Sequence, residues 1–219
     1  MKLALLLPGY LESPDYLHLK IIDNRLQKLG YTTQRIDPCN LWKTGDVEKY
    51  TVSNYLAQIR NIIDSHKKGD PSEIVLIGHS LGASVAILAG SKYSSVTKAV
   101  CLSPTILFDK SDSKWNKNNV RSTKKDIPGN PQEFREFNIP ISFVNDRKKY
   151  SVTQSLRDFN KPLMVLIASE DTAKEEIENA VREVKNSYIV RMENMGHDFR
   201  QSVEQCNLVA DEIERFLKT

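Results

Sequence analysis

Ile74-Val75-Leu76-Ile77-Gly78-His79-Ser80-Leu81-Gly82-Ala83 decides how this chain is read: a short apolar run meets a serine flanked by two glycines, then small residues through Ala89. An apolar run of this length reads as a buried strand, and the small residues beyond it open a helix. A serine on the sharp turn between them stands exposed on strained backbone. Glycines two positions to either side remove side chains that would collide around it. Ser80 is therefore the candidate nucleophile. Chance explains the pattern poorly, since nineteen serines and nine glycines in 219 residues give roughly 0.03 such pentapeptides. The competing reading is a phosphate-binding turn, but that calls for Gly-Lys-Ser/Thr or Gly-x-Gly-x-x-Gly, and neither is present.

A serine hydroxyl is a weak nucleophile at neutral pH, so the turn calls for a histidine base and a carboxylate that orients it. In α/β-hydrolases the order along the chain is Ser, acid, His. Of the four histidines only His197 lies downstream of Ser80. It sits in Met195-Gly196-His197-Asp198-Phe199, between the apolar run 188–192 and the last helical pattern. That is the strand-end loop where a base belongs. His18 reads as a helix-face residue, His66 as a helix-end residue whose positive ring suits the macrodipole, and His79 as a side chain that packs rather than reacts. The acid should end another strand. Leu163 to Ile167 is such a run, and Ala168-Ser169-Glu170-Asp171 follows it. Asp171 is preferred, with the adjacent Glu170 and the earlier Asp109 as options.

These segments resemble those of small serine hydrolases of the α/β-hydrolase superfamily. Gly78 to Gly82 are similar to its nucleophile elbow, Ala168 to Asp171 to its Gly-x-x-Asp acid turn, and Gly196-His197 to its histidine loop. Leu3 to Tyr10 resembles the family strand that ends in His-Gly-aromatic, with Pro8 in place of the histidine; Ala168 likewise replaces a glycine. The resemblance implies catalysis by Ser80, His197 and Asp171, with an oxyanion hole made by the backbone N–H groups of Tyr10 and Leu81. Such donors are each worth about a hundred- to thousand-fold in rate. It also implies a minimal α/β-hydrolase fold: a six-stranded, mostly parallel sheet with helices on both faces, whose first strand neighbours the strand before Ser80. The segment from Phe137 through Pro162 is similar to the passage from lid to strand in bacterial carboxylesterases and cinnamoyl-esterase-like hydrolases. The expected activity is hydrolysis of a small-molecule carboxylic ester through an acyl-enzyme, with thioesters and amides less favoured and no cofactor. A rival from another class is a catalytically silent fold that only binds a ligand, and a further one is acyl transfer or cofactor-free proton chemistry.

Composition agrees with one α/β domain over residues 1–219. At 40% hydrophobic the chain can bury a full core, and a net charge of +3 does not compel a nucleic-acid partner. Three cysteines, Cys39, Cys101 and Cys206, lack a C-x-x-C pairing and suit a reducing cytoplasm; Cys101 and Cys206 read as small core residues. The run Leu3 to Leu7 is too short for a signal peptide, and nothing approaches a membrane span. Histidine and cysteine spacings do not suggest a metal site.

Outward from the elbow, strand-like runs at 3–7, 32–36, 74–77, 98–102, 163–167 and 188–192 alternate with helical patterns, which implies a parallel sheet covered on both faces. Ser13-Pro14 signals the start of the first helix and Gly30 its end. From about 105 to 160 the alternation stops. That stretch reads as a lid inserted over the site, with the Gly129-Asn130-Pro131 turn and the polar run 111–125 as a mobile tip. It carries eleven Lys or Arg against seven Asp or Glu, together with five of the seven phenylalanines. They form either an aromatic, basic wall for an anionic acyl or aromatic group or, as is favoured, anchors that fix the lid.

Overall fold

Parity sorts the strand residues onto two faces. In β1 (Lys2–Leu7), Leu3, Leu5 and Leu7 join one apolar cluster while Ala4 and Leu6 join another. The same alternation runs through β3 (Glu73–His79), with Ile74 and Leu76 against Val75 and Ile77. Side chains in a strand alternate sides, so a sheet apolar on both must be covered on both. The computed structural model describes residues 1–66, 69–108 and 119–219, and in it six strands form one parallel sheet. With β2 (Tyr31–Arg35), β4 (Lys98–Leu102), β7 (Leu163–Ala168) and β8 (Ser187–Met192), the order is β2-β1-β3-β4-β7-β8. All five neighbouring pairs are parallel. The chain leaves β1 toward β2, then returns to place β3 on its other side. This reversal is the topological switch at which open α/β sheets bind ligands. It sets Leu7 beside Gly78 and brings the loop after β1 to the elbow, as expected.

Helices α1 (Leu17–Lys28) and α8 (Val203–Leu217) bury Leu19, Ile22, Val209 and Ile213 against one face. Across the sheet, α3 (Val52–His66), α4 (Leu81–Lys92) and α7 (Lys174–Val181) contribute Ile59, Val85 and Ile177; a short α2 (Leu41–Thr44) adds Leu41. Every residue of α4 from Leu81 through Gly90 is buried, as befits a helix under the centre of a layer. One expected detail differs. Helix α1 starts at Leu17 rather than at Ser13-Pro14, because Ser13 instead builds a turn whose Oγ accepts the Asp15 N–H at 3.1 Å and whose carbonyl accepts the Tyr16 N–H. Gly30 ends the α1 segment with φ +82°, where a side chain would be strained.

Between β4 and β7 the chain inserts an antiparallel hairpin, β5 (Val120–Ile127) and β6 (Asn130–Pro140), then α5 (Ile141–Arg147) and α6 (Val152–Arg157). Its turn is Pro128-Gly129: proline presets the first φ and Gly129 supplies φ +82°. Phe108, Phe137, Phe143 and Phe159 are all buried, and Phe134 alone of the five is exposed, at 58%. The phenylalanines are chiefly anchors. Arg135 lies over the Trp42 and Phe137 rings and donates to the Trp42 carbonyl, while Arg147 lies over Phe108 and Phe143. The options Asp109 and most of the run 111–125, up to Asn118, fall outside the described residues; from Val120 onward that run is β5.

The elbow glycines have distinct steric reasons. A Cβ on Gly78 would meet the Gly82 carbonyl oxygen at 2.3 Å, and one on Gly82 would meet the carbonyl oxygens of Leu7 and Pro8 at 2.0 and 2.4 Å. These obstacles are backbone and cannot rotate away. Gly82→Ala is expected to cost about 2–3 kcal/mol as an overpacked core site, lowering Tm by about 5–10 °C for a chain of this size; thermal unfolding monitored by circular dichroism checks it.

Candidate active site

Three strand ends deliver the three predicted groups. Ser80 follows β3 at φ +50°, ψ −116°, an unfavourable backbone region for a residue with a side chain. Its N–H donates to the Leu102 carbonyl at 2.8 Å, and its carbonyl accepts the Ser84 N–H at the first turn of α4. The turn is thereby held from both sides. Asp171 lies past β7, where its N–H bonds the Ala168 carbonyl, and His197 lies past β8.

Together they form a row. His197 Nε2 is 3.0 Å from Ser80 Oγ, and His197 Nδ1 is 2.7 Å from Asp171 Oδ2. Burial pushes the Asp171 carboxyl up, but hydrogen bonds from His197, the Ala173 N–H and Ser103 hold it at about 2. An ionised carboxylate only accepts, so Nδ1 carries the imidazole proton. Nε2 then accepts from the Ser80 hydroxyl, the arrangement that allows general-base transfer. Asp171 is buried while the His197 side chain is 43% exposed, so the imidazole faces solvent and the carboxylate beside it does not. Glu170 is exposed and outside the row; what it contributes is a backbone N–H to the Met195 carbonyl.

The loop after β1 presses against the serine: a Cβ on Gly9 would lie 3.1 Å from Ser80 Cβ. Tyr10 follows, its ring packed on Phe143 at 5.2 Å and on Tyr50 at 6.2 Å. Leu81 heads α4, where the first N–H groups have no intrahelical acceptor and the helix dipole is positive. Tyr10 and Leu81 thus flank Ser80 from two elements.

A second polar group was not legible in the sequence. His79 is buried beneath the elbow, with Nδ1 2.8 Å from Glu12 Oε2 and Nε2 2.7 Å from the His197 carbonyl. His18, also fully buried, approaches His79 with ring centroids 5.2 Å apart, and neither of its ring nitrogens has a hydrogen-bond partner. Burial, only partly offset by Glu12, lowers His18 to about 3 and keeps it neutral. Among the described residues Glu12, His18 and His79 are the one grouping whose ligand atoms all lie within 4.8 Å of one another. Glu12 and His79 are bonded to each other there, so only His18 offers nitrogens not already engaged. His66, at the end of α3, has Nδ1 2.9 Å from the Ile62 carbonyl, and Cys101 and Cys206 are buried free thiols, as expected.

No curated protein matches the sequence. The profile of the class 3 lipase family matches residues 24–102. Solved structures resemble nearly the whole chain. Est1E from Butyrivibrio proteoclasticus with bound ferulic acid superposes with a TM-score of 0.80 at 20% identity, covering 99% of this chain and 88% of its own. Alpha/beta hydrolase domain-containing protein 10 from mouse gives 0.76 at 16% identity, covering 99% and 89%. The esterase domain of a Rhodothermus marinus protein gives 0.70 at 17% identity, covering 98% and 85%. No helix among the described residues is long and apolar enough to cross a membrane. Its sheet order, its elbow and the structural likeness over nearly all of its residues show that the chain has the α/β-hydrolase fold.

Proposed function

We propose that this protein is a serine hydrolase that cleaves carboxylic esters. The observation that carries this reading is the hydrogen-bonded row Ser80–His197–Asp171, set at the carboxyl ends of β3, β8 and β7 beside the switch point. Ser80 Oγ attacks the ester carbonyl as His197 Nε2 takes its proton, and the resulting imidazolium is stabilised by the Asp171 carboxylate. The N–H groups of Tyr10 and Leu81 receive the negative oxygen of the tetrahedral intermediate. His197 then gives the proton to the leaving alcohol. An acyl-enzyme remains, and water activated by His197 clears it. Every proton moves through residues of this chain, and no cofactor enters the cycle.

The insertion between β4 and β7 acts as a lid in this reading. Its support is the clamp at the hairpin end: Arg200, three residues past His197, pairs with both oxygens of Asp126 at 2.8 and 2.9 Å, and Tyr16 Oη donates to the same residue. The substrate is a small molecule, for which the ferulate bound by Est1E offers one aromatic precedent. The free thiols favour a reducing cytoplasmic setting.

The test is a fluorophosphonate probe followed by esters of graded acyl length. Stoichiometric labelling at Ser80, with turnover of at least one ester series, is expected. An unlabelled Ser80 in folded protein would identify a ligand-binding fold without catalysis.

A further inference from the structure

Beneath Ser80 lies a buried ion pair that the proposed reaction does not consume. The His79 ring lies between two groups that only accept: Glu12 Oε2 at 2.8 Å from Nδ1, and the His197 carbonyl at 2.7 Å from Nε2. The Gly9 N–H donates to the same Glu12 oxygen at 2.7 Å. With Glu12 ionised, both ring nitrogens must carry protons. Burial pushes the Glu12 carboxyl up, but the charge and hydrogen bond of His79 hold it well below the usual carboxylate range. Burial likewise pushes His79 down, and Glu12 and the His197 carbonyl more than restore it. Both side chains are nearly inaccessible.

Such a pair is a poor way to gain stability, since desolvation offsets most of the attraction and an apolar pair of similar volume often does as well. Its value lies in what it joins. Gly9 precedes Tyr10, His79 precedes Ser80, and the carbonyl held by Nε2 belongs to His197 itself. From these contacts we infer that Glu12 and His79 are positioning residues, a buried strap that fastens the oxyanion turn, the elbow and the histidine loop to one another and fixes the distance between Ser80 Oγ and His197 Nε2. For its kinetic consequence this strap rests on the serine hydrolase reading; its geometry does not.

The surroundings of His79 come from several elements. His18 on α1 presents a neutral ring, Phe199 packs at 5.8 Å, and Asp198 and Arg200 lie on the histidine loop with Arg200 paired to Asp126 of β5; Lys125 of β5 acts on Glu12. Among these groups Glu12 alone is hydrogen-bonded to the ring.

The experiment compares wild type with His79→Leu, His79→Gln and Glu12→Gln, reading steady-state kinetics on one ester, amide exchange over 195–199 and ring nitrogen NMR. Wild type should show two ring N–H signals for His79 at neutral pH. His79→Leu removes the donor to the His197 carbonyl. It should lower kcat about ten- to hundredfold, leave KM within about twofold and speed exchange at Phe199, whose N–H bonds the Gly196 carbonyl. Glutamine restores a donor at the Nε2 position and should recover most of kcat. Glu12→Gln should leave one ring N–H on His79 and cost less than His79→Leu.

Wild-type kcat and loop exchange in His79→Leu would overturn the strap. So would equal impairment in the leucine and glutamine variants with only Tm reduced, or a single ring N–H in wild type, which is decided even where a variant does not fold. If wild type hydrolyses nothing, the hydrolase reading fails, while exchange and NMR still decide the strap.

Discussion

Ser80→Ala is expected to lower ester turnover by up to about a million-fold, and His197→Ala by a similar factor, because the members of a nucleophile and base pair act as a unit. Without Oγ no acyl-enzyme forms, and the remaining rate comes from the oxyanion donors and binding alone, roughly a thousand- to ten-thousand-fold over water. The fold should survive, since the Ser80 backbone bonds to Leu102 and Ser84 do not involve its hydroxyl. A companion variant separates function from stability. At φ +50°, ψ −116° serine holds strain of order 1–3 kcal/mol that glycine relieves. Ser80→Gly should therefore be as inactive as the alanine variant yet melt higher, by about 2–4 °C for each kcal/mol gained. Retention of more than about a tenth of wild-type turnover in Ser80→Ala, far above the expected loss, would assign the nucleophile elsewhere.

The elbow was legible because its constraints are local. A β3 run with parity-sorted apolar residues, two glycines forced by backbone at 2.0–2.4 Å and the buried start of α4 leave their marks in ten consecutive residues. The histidine and acid loops were legible for a related reason: each follows an apolar strand, so composition located the strand end and elimination among few histidines did the rest. Where tertiary contacts decide, the sequence was mute. The start of α1 moved with the Ser13 turn, whose last residue Tyr16, the N-cap, is also tied through its hydroxyl to Asp126 some 110 residues away. The β5–β6 hairpin is only partly buried along both strands, so its alternation has little apolar contrast to reveal it. Glu12, His18 and His79 carry no spacing signal at all. Only the adjacency of β1 and β3, with α1 packed below, brings a loop carboxylate and two distant imidazoles together.

Asp171→Asn is expected to cost up to about ten-thousand-fold in turnover while leaving the geometry nearly intact. The reason is the tautomer. An asparagine amide can turn its NH2 toward Nδ1, which moves the imidazole proton to Nε2 and removes the acceptor that Ser80 Oγ needs at 3.0 Å. Glu170→Gln is the control: Glu170 is exposed and contacts the histidine loop through backbone, so its variant should turn over like wild type. Asp171 also leaves a signature in acid. Asp171 has a folded-state pKa depressed from 3.8 to about 2, so it contributes stability that is present above pH 4 and lost as pH falls through 2. That contribution is of order 2 kcal/mol. The stability gap between wild type and Asp171→Asn should therefore narrow as pH is lowered from 5 to 2, measured by denaturant unfolding at each pH. A gap constant over that range would mean that Asp171 is not held ionised by His197. Full activity in Asp171→Asn together with loss in Glu170→Gln would instead move the orienting acid one residue back along the turn.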